Sequence, residues 1–229
     1  MIAEKVPTKR RPLMRGVGLV RHVTRRSLGK RKRLRVLYLT SDPDKAHSLR
    51  VDAEVRRVQQ VIRGSAFSQN ITVEYRPAAN LGSLIDGLND HRPQIVHFSG
   101  HGHKGGIATD NGGTGKCAIE MLPFDLLAKA VSATDSPPDV IVLNSCNSSA
   151  GRSALVKSGK IVIAMRASVS DLAATAFATR FSAAIAGGQS VKAAFAQGTL
   201  AVEAVSISEA DTPELFHSLG TNPAKVVLV

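Results

Sequence analysis

The sequence has few cysteines and no long apolar run, and each shortage limits what the protein can be. Its two cysteines, Cys117 and Cys146, do not form the spaced framework on which small secreted domains depend. No stretch reaches the roughly 18 apolar residues that a membrane-spanning helix needs. We therefore expect a protein of the reducing cytoplasm without a membrane span.

The N-terminal segment lacks the core of a secretory signal. Its apolar stretch at residues 16–20 is shorter than the roughly 7 to 15 residues of such a core, and more arginine follows it. Because the segment is rich in arginine and nearly free of acid, a transit peptide stays possible.

Positive charge is concentrated at the N-terminus. Residues 1–35 contain 13 Lys and Arg against one Glu, whereas residues 36–229 contain 17 basic and 17 acidic residues. We interpret residues 1–33 as a basic, flexible arm and residues 34–229 as a nearly neutral folded domain. Such an arm attracts nucleic-acid phosphates or an acidic protein, although no interleaved aromatic residues indicate base readout. A solvated tail and a linker to a sensor domain are the alternatives.

Several ligand-binding and catalytic motifs are absent. The sequence has no Gly-x-Ser-x-Gly elbow of a serine hydrolase, and residues 110–117 lack the leading glycine and the final Ser or Thr of a phosphate loop. His97, His101 and His103 include a His-x-His pair, but no acid or cysteine close in sequence completes a metal site. We interpret His97 as a hydrogen-bonded core residue and expect no metal and no other cofactor.

Strand-like and helical patterns alternate along residues 34–229. β-Branched runs begin at Leu34, Ile71, Ile95, Val140 and Ile161, and helical patterns lie between and after them, notably over 51–63, 171–186 and 191–205. A glycine-rich turn at 110–113 predicts a small β-hairpin insertion, and residues 225–229 predict an edge strand. This order predicts an α/β fold, with a mostly parallel sheet and helices on both faces.

Two of the apolar runs end in residues suited to nucleophilic catalysis. The run 95–98 precedes Ser-Gly-His101-Gly102, and the run 140–143 precedes Asn-Ser-Cys146. Neighbouring parallel strands would deliver His101 and Cys146 to one edge of the sheet, which favours a Cys-His dyad. A helix starting after Cys146 would place backbone N–H groups near its thiol, and Gly102 leaves room for a substrate carbonyl.

This double motif resembles that of the caspase-like cysteine peptidases, which include caspases, separases and gingipains, and in particular the bacterial CHAT domain. The similarity covers about residues 34–229. The blocks that carry it are 36–39 with Asp42-Pro43, 49–55, 93–102, 142–146, 171–181, and 212–215 with Asn222-Pro223.

The resemblance implies a caspase-like three-layer sandwich that hydrolyses a peptide bond in a protein substrate. His101 would be the general base and Cys146 the nucleophile, with the backbone N–H groups of Gly102 and Cys146 as the oxyanion hole. It also implies activation by a regulatory or sensor protein, in regulated proteolysis such as bacterial defence or cell death. The alternative is a non-catalytic scaffold whose arm binds nucleic acid or an acidic protein.

Two acidic residues are candidates for a substrate pocket that accepts a basic side chain. Asp52 and Asp171 each stand at the start of a predicted helix, where the helix dipole also favours an acid, as it does for Glu54. Either role explains the residue type, so the pocket assignment stays open.

Overall fold

The computed structural model describes residues 33–111 and 119–229. Within them, the strands are β1 (Leu34–Ser41), β2 (Ile71–Arg76), β3 (Ile95–Gly100), β4 (Gly102–His103), β5 (Gly106–Asp110), β6 (Ile119–Pro123), β7 (Val140–Asn144), β8 (Ile161–Met165) and β9 (Pro213–His217). The α-helices are α1 (Val51–Arg63), α2 (Leu81–His91), α3 (Phe124–Ser132), α4 (Arg152–Ser158), α5 (Asp171–Ala186) and α6 (Val191–Val205). Cys117, most of the hairpin turn and all of the predicted arm except Arg33 lie outside the described residues.

Six strands form one sheet in the order β2-β1-β3-β7-β8-β9. The first five run parallel, and β9 pairs antiparallel with β8. A smaller antiparallel sheet contains β4, β5 and β6. The predictions of a mostly parallel sheet and a small hairpin insertion are therefore confirmed.

The edge strand predicted at residues 225–229 is wrong, because the edge position belongs to β9. The C-terminal segment instead packs beside α6, where the backbone N–H of Val191 donates to the carbonyl of Val226 at 2.9 Å. Leu228 is buried in the same core. The apolar side chains of this segment are thus covered by helix packing, which a sequence pattern does not separate from strand pairing.

Helices cover both faces of the large sheet, as predicted. On one face, α1, α5 and α6 bury side chains such as Val58, Phe177 and Val202 against the strands. On the other face, α2, α3 and α4 do the same with residues such as Leu88 and Leu155. The result is a three-layer α/β sandwich whose parallel strands all direct their carboxyl ends to one edge.

Candidate active site

The two candidate catalytic segments leave the sheet side by side. β3 and β7 are adjacent parallel strands, and Ser99 on β3 lies opposite Asn144 on β7. Each of these residues stands two positions before a candidate catalytic residue. His101 and Cys146 therefore follow their strands at the same carboxyl edge, where open α/β sheets bind ligands.

A cleft of about 310 Å³ opens at this edge. His101 and Cys146 both line it and both are partly exposed, so a substrate can reach the two side chains together. The remaining lining residues are Asp44, His47, Gly102, His103, Ala108, Ile119, Asn147 and Ser168. Within residues 33–111 and 119–229, no cluster of three or more side chains suited to binding a metal occurs.

The His101 ring has a carboxylate neighbour that the sequence interpretation missed. Asp42 Oδ1 lies 3.3 Å from His101 Nε2, and 14% and 21% of the two side chains are exposed. Asp42 directly follows β1, whose last residue Ser41 lies opposite Gly100 on β3. The sequence signal is the same as for His101 and Cys146, a polar residue directly after an apolar strand, but an Asp-Pro pair is also typical of a turn.

The Cys146 thiol faces the loop between β8 and α5. Its sulfur accepts a hydrogen bond from the backbone N–H of Val169 at 3.4 Å and lies 3.7 Å from the Val169 carbonyl oxygen. A thiolate accepts such a bond more strongly than a neutral thiol does. The loop thus supplies a donor to the sulfur.

The helix expected directly after Cys146 begins later. Asn147 has a left-handed backbone, with φ 55° and ψ 19°, and a short 3-10 turn (Ser148–Gly151) precedes α4. The N–H of Asn147 donates to the carbonyl of Ala167. A helix start therefore does not supply free N–H groups at the thiol.

Ser148 braces the loop that carries Cys146. Its buried hydroxyl donates to the carbonyl of Leu143 at 3.0 Å and accepts from the backbone N–H of Met165 at 2.9 Å. These two bonds connect the end of β7 to the end of β8. The conformation after Cys146 is thus fixed by a side chain.

Gly102 brings the two catalytic segments into direct backbone contact. A Cβ atom at this position would lie 2.5 Å from the carbonyl oxygen of Cys146 and 2.9 Å from the Ser145 side chain, so only glycine fits. The N–H of Ala108 donates to the carbonyl of His101, so these two residues form a hydrogen-bonded pair of the antiparallel ladder. Because such pairs alternate with non-hydrogen-bonded ones, the next pair, Gly102 and Ile107, is not hydrogen-bonded. The N–H of Gly102 consequently points away from β5.

A buried polar cluster, formed by Tyr38, Glu54, His97, Ser99 and Asn144, lies beneath the site. Glu54 on α1 is 2% exposed, and its carboxylate accepts hydrogen bonds from the Tyr38 hydroxyl, the Asn144 amide (3.0 Å) and the Ser99 hydroxyl. Burial raises the pKa of Glu54 from 4.5 to about 7, although these hydrogen bonds act in the opposite direction. Glu54 stands in the first turn of α1, as expected, but it faces the core.

His97 completes the cluster and is buried, as predicted, but its Nε2 does not form the hydrogen bond that was expected. Its ring stacks on Tyr38 with centroids 4.2 Å apart, and its Nε2 lies 3.7 Å from Glu54 Oε1, beyond hydrogen-bond distance. Burial lowers the pKa of His97 to about 3. At pH 5 both groups are consequently neutral, and their contact is not an ion pair.

The chain matches the CHAT domain family over residues 7–213. It belongs to the CHAT domain family. The match begins within the segment interpreted as an arm and ends at the first residue of β9. No curated protein sequence matches the chain at a significant level.

Two solved protease structures have a similar fold. One is a secreted C11 cysteine protease from Bacteroides thetaiotaomicron in complex with an irreversible peptide inhibitor, with a TM-score of 0.55, 13% identity, and coverage of 75% of this chain and 59% of that chain. The other is the Arg-specific cysteine proteinase gingipain R, with a TM-score of 0.60, 12% identity, and coverage of 85% and 47%. This CHAT domain thus spans about half of each protease and shares their caspase-like fold.

The two acids predicted for a substrate pocket lie outside the cleft of this CHAT domain. Asp52 is mostly exposed on α1 and forms ion pairs with Arg50 (3.3 Å) and Arg56 (2.7 Å). Asp171 begins α5, and both of its carboxylate oxygens lie 3.3 Å from the backbone N–H of Arg50. Asp52 thus pairs with neighbouring cations and Asp171 accepts from the N–H that precedes α1, and the pocket role stays a prediction.

Proposed function

We propose that this CHAT domain is a cysteine endopeptidase in which Cys146 is the nucleophile and His101 the general base. The observation that supports this most is their joint position in one open cleft, at the ends of adjacent parallel strands. The caspase-like fold, shared with two cysteine proteases, agrees with this chemistry.

The proposed reaction proceeds through an acyl-enzyme. His101 takes the proton of the Cys146 thiol, and the sulfur attacks the carbonyl carbon of the scissile peptide bond. The C–N bond breaks as His101 returns the proton to the leaving amine, which leaves a thioester. Water, deprotonated by His101, then hydrolyses the thioester and restores the thiol.

Two further parts of the site have assigned roles in this proposal. The N–H groups of Gly102 and Cys146 bind the oxyanion of the tetrahedral intermediates, and the orientation of Gly102 away from β5 supports this role. Asp42 holds the imidazole of His101 in one orientation and stabilises the imidazolium that forms during attack. Asp42 thereby adds a third residue to the dyad expected from sequence.

The substrate is a protein, and a regulatory or sensor protein controls access to it. We place this activity in the cytoplasm, where Cys146 stays reduced, and in regulated proteolysis of the kind that serves bacterial defence or cell death. The proposed specificity is for a basic side chain before the cleaved bond, bound by Asp52 or Asp171. None of the helices in residues 33–111 and 119–229 combines the length and apolar character needed to cross a bilayer.

Electrophilic peptide probes with varied residues before the reactive group test the peptidase proposal. We expect covalent labelling of Cys146 in the wild-type protein and in Cys117→Ser, and none in Cys146→Ala. His101→Ala should slow labelling by about 100-fold or more, the scale of general-base catalysis. If Cys146 reacts at the same rate with and without His101, the dyad is contradicted.

The charge distribution favours a second candidate function, binding of a nucleic acid by the basic arm together with a basic groove of the folded domain. Arg33, Arg35, Lys160 and Lys225 line a groove of about 600 Å³. Arg33 and Lys160 directly precede β1 and β8, so the groove lies at the amino ends of the strands, opposite the catalytic edge. Asp139 offsets one of these cations through its 2.6 Å contact with Lys160.

Salt-dependent binding of a labelled DNA or RNA duplex tests this second function. Deletion of residues 1–32 should reduce both the affinity and the slope of log K against log salt, because each lost phosphate contact lowers that slope by about 0.9. Lys225→Glu should weaken binding further. Unchanged binding after the deletion would contradict a role for the arm.

A further inference from the structure

The cluster beneath the site connects α1 to both strands that end in a candidate catalytic residue. Asn144, the last residue of β7, donates from its amide nitrogen to Glu54 Oε2 at 3.0 Å. On β3, the Ser99 hydroxyl near the strand end is a hydrogen-bonding neighbour of the same carboxylate, and His97 Nε2 lies 3.7 Å from Glu54 Oε1. Asn144 and Ser99 each stand two residues before Cys146 or His101, so one side chain on α1 touches both catalytic strands at their ends.

Packing alone does not account for a carboxylate at this position. Val55, Val58 and Ile62 of α1 are buried apolar residues, and an apolar side chain in place of Glu54 would continue that surface. A buried carboxylate costs free energy unless its oxygens are hydrogen-bonded, and here three side-chain donors from three different strands converge on it. Such a network fixes relative positions more narrowly than apolar contacts do.

We infer that Glu54 is a positioning residue of the proposed site: its carboxylate ties the ends of β3 and β7 to α1 and thereby sets the spacing of His101 and Cys146. The catalytic consequence rests on the proposed function, whereas the connection itself is a property of the fold. Glu54 does not line the cleft and acts only through the strands.

The protonation state of Glu54 changes this connection. The ionised carboxylate accepts all three hydrogen bonds, whereas the protonated acid carries an O–H that must displace one of them. The titratable groups facing Glu54 from the neighbouring elements are Tyr38 on β1, His97 on β3 and Asp171 on α5. Burial and the nearby Glu54 keep Tyr38 protonated, and burial keeps His97 neutral, so Glu54 is the member of the cluster that changes charge near pH 7.

The test measures the alkylation rate of Cys146 by iodoacetamide between pH 5.5 and 8, in a Cys117→Ser background, with Glu54→Gln as the main variant. Glutamine has the same shape but cannot ionise. We expect the wild-type to variant ratio of rates to rise from near one at pH 5.5 to about tenfold at pH 8, the factor expected for a lost charge-assisted hydrogen bond. The ratio cancels the pH dependence that the two proteins share.

Val58→Ala is the matched control, because Val58 lies one turn further along the same buried face of α1 and is 1% exposed. It should lower the unfolding midpoint and leave the ratio independent of pH. Equal, pH-dependent losses in Val58→Ala and Glu54→Gln would overturn the inference, since loosening of α1 would then explain both. A ratio of one across the pH range in Glu54→Gln would overturn it too.

Asn144→Ser supplies a second route, which also serves if Glu54→Gln does not fold. It removes the amide donor at β7 and should reproduce the rate loss at pH 8. Asn144 also donates to the carbonyl of Ala174 at 2.9 Å, a bond whose loss does not depend on pH. In the double variant the pH-dependent losses should not add, because both changes remove the bond between Glu54 and Asn144. Additive pH-dependent losses would contradict the inference. The proposed function fails separately, if His101→Ala leaves the alkylation rate of Cys146 unchanged.

Discussion

Asp42 reaches His101 from a third strand and gives the imidazole a fixed neighbour. We expect Asp42→Asn to lower kcat by about 10- to 100-fold with little change in KM, because the imidazolium formed during attack loses its counter-charge. Steady-state kinetics on a cleaved peptide measure both constants. Asp44→Asn is the control: Asp44 lines the cleft and binds the turn through Ala46 and His47, so its loss should act on KM. Wild-type kcat in Asp42→Asn would contradict the role.

Ser148 is a single residue that contributes to stability and not to catalysis. Ser148→Ala leaves the buried N–H of Met165 without its acceptor, which should lower the free energy of unfolding by about 1–3 kcal/mol. Urea denaturation measures this loss. Ser153→Ala, at an exposed position of α4, should change the free energy of unfolding by less than about 0.5 kcal/mol. Similar losses in both variants would count against the brace at Cys146.

His101 and Cys146 were predictable from the sequence, whereas Asp42 and Glu54 were not, because their sequence signals differ in how specific they are. His101 and Cys146 each follow an apolar run with distinctive chemistry, so the pattern was sufficient to select them. Asp42 gave the same signal but also made a good turn. Glu54 lies on the buried face of α1, between apolar residues of helical spacing, yet a first-turn acid already had an explanation in the helix dipole. Only strand order shows that Asp42, His101 and Cys146 meet at one edge, and only the packing of α1 shows that Glu54 lies beneath them.

The packing of helix α5 against helix α6 depends on one glycine, at which the two helices approach closely. A Cβ atom on Gly198 of α6 would lie 2.7 Å from the Phe177 ring of α5. Gly198→Ala should therefore lower the free energy of unfolding by about 1–3 kcal/mol, even though alanine favours helices. Denaturant unfolding measures the change, and Gly105→Ala, where no atom lies within 4 Å, is the matched control. A stabilised Gly198→Ala protein would show that the helices can separate at no cost.

Element boundaries were predictable where a capping residue marks them. Ser170 and Ser190 accept hydrogen bonds from the N–H groups of Ala173 and Ala193, and α5 and α6 begin directly after them, as predicted. The last strand was not predictable in this way. β9 is short and begins with a proline, which a strand tolerates at its first position, whereas the more strand-like C-terminal run packs without pairing.

For the whole molecule, Glu54 and His97 shift the free energy of unfolding in opposite directions as the pH changes. The pKa of Glu54 is higher in the folded state, at about 7 against 4.5, so its contribution to the free energy of unfolding falls as pH rises from 4.5 to 7. The pKa of His97 is lower in the folded state, at about 3 against 6.5, so its contribution falls as pH drops from 6.5 to 3. Each slope is about 1.4 kcal/mol per pH unit, and between pH 4.5 and 6.5 the two cancel.

Glu54→Gln should remove this cancellation. We expect its free energy of unfolding, relative to wild type, to increase by about 1.4 kcal/mol for each unit of pH between 4.5 and 6.5, because the Glu54 contribution is lost while that of His97 and the other groups is shared. Urea denaturation at several pH values measures the difference, and Val58→Ala should instead give a curve parallel to wild type. A parallel curve for Glu54→Gln would show that the carboxyl group titrates alike in the folded and unfolded chain.

The contact between Gly102 and the carbonyl of Cys146 also bears on recombination between relatives. The segments 95–102 and 140–147 are separated in the gene but share one backbone surface, on which 2.5 Å leaves no space for an added methyl group. A chimera that takes the two segments from different parents joins surfaces that were never selected to fit. Exchanging both segments together should preserve the site, so a functional chimera must take 95–102 and 140–147 from the same parent.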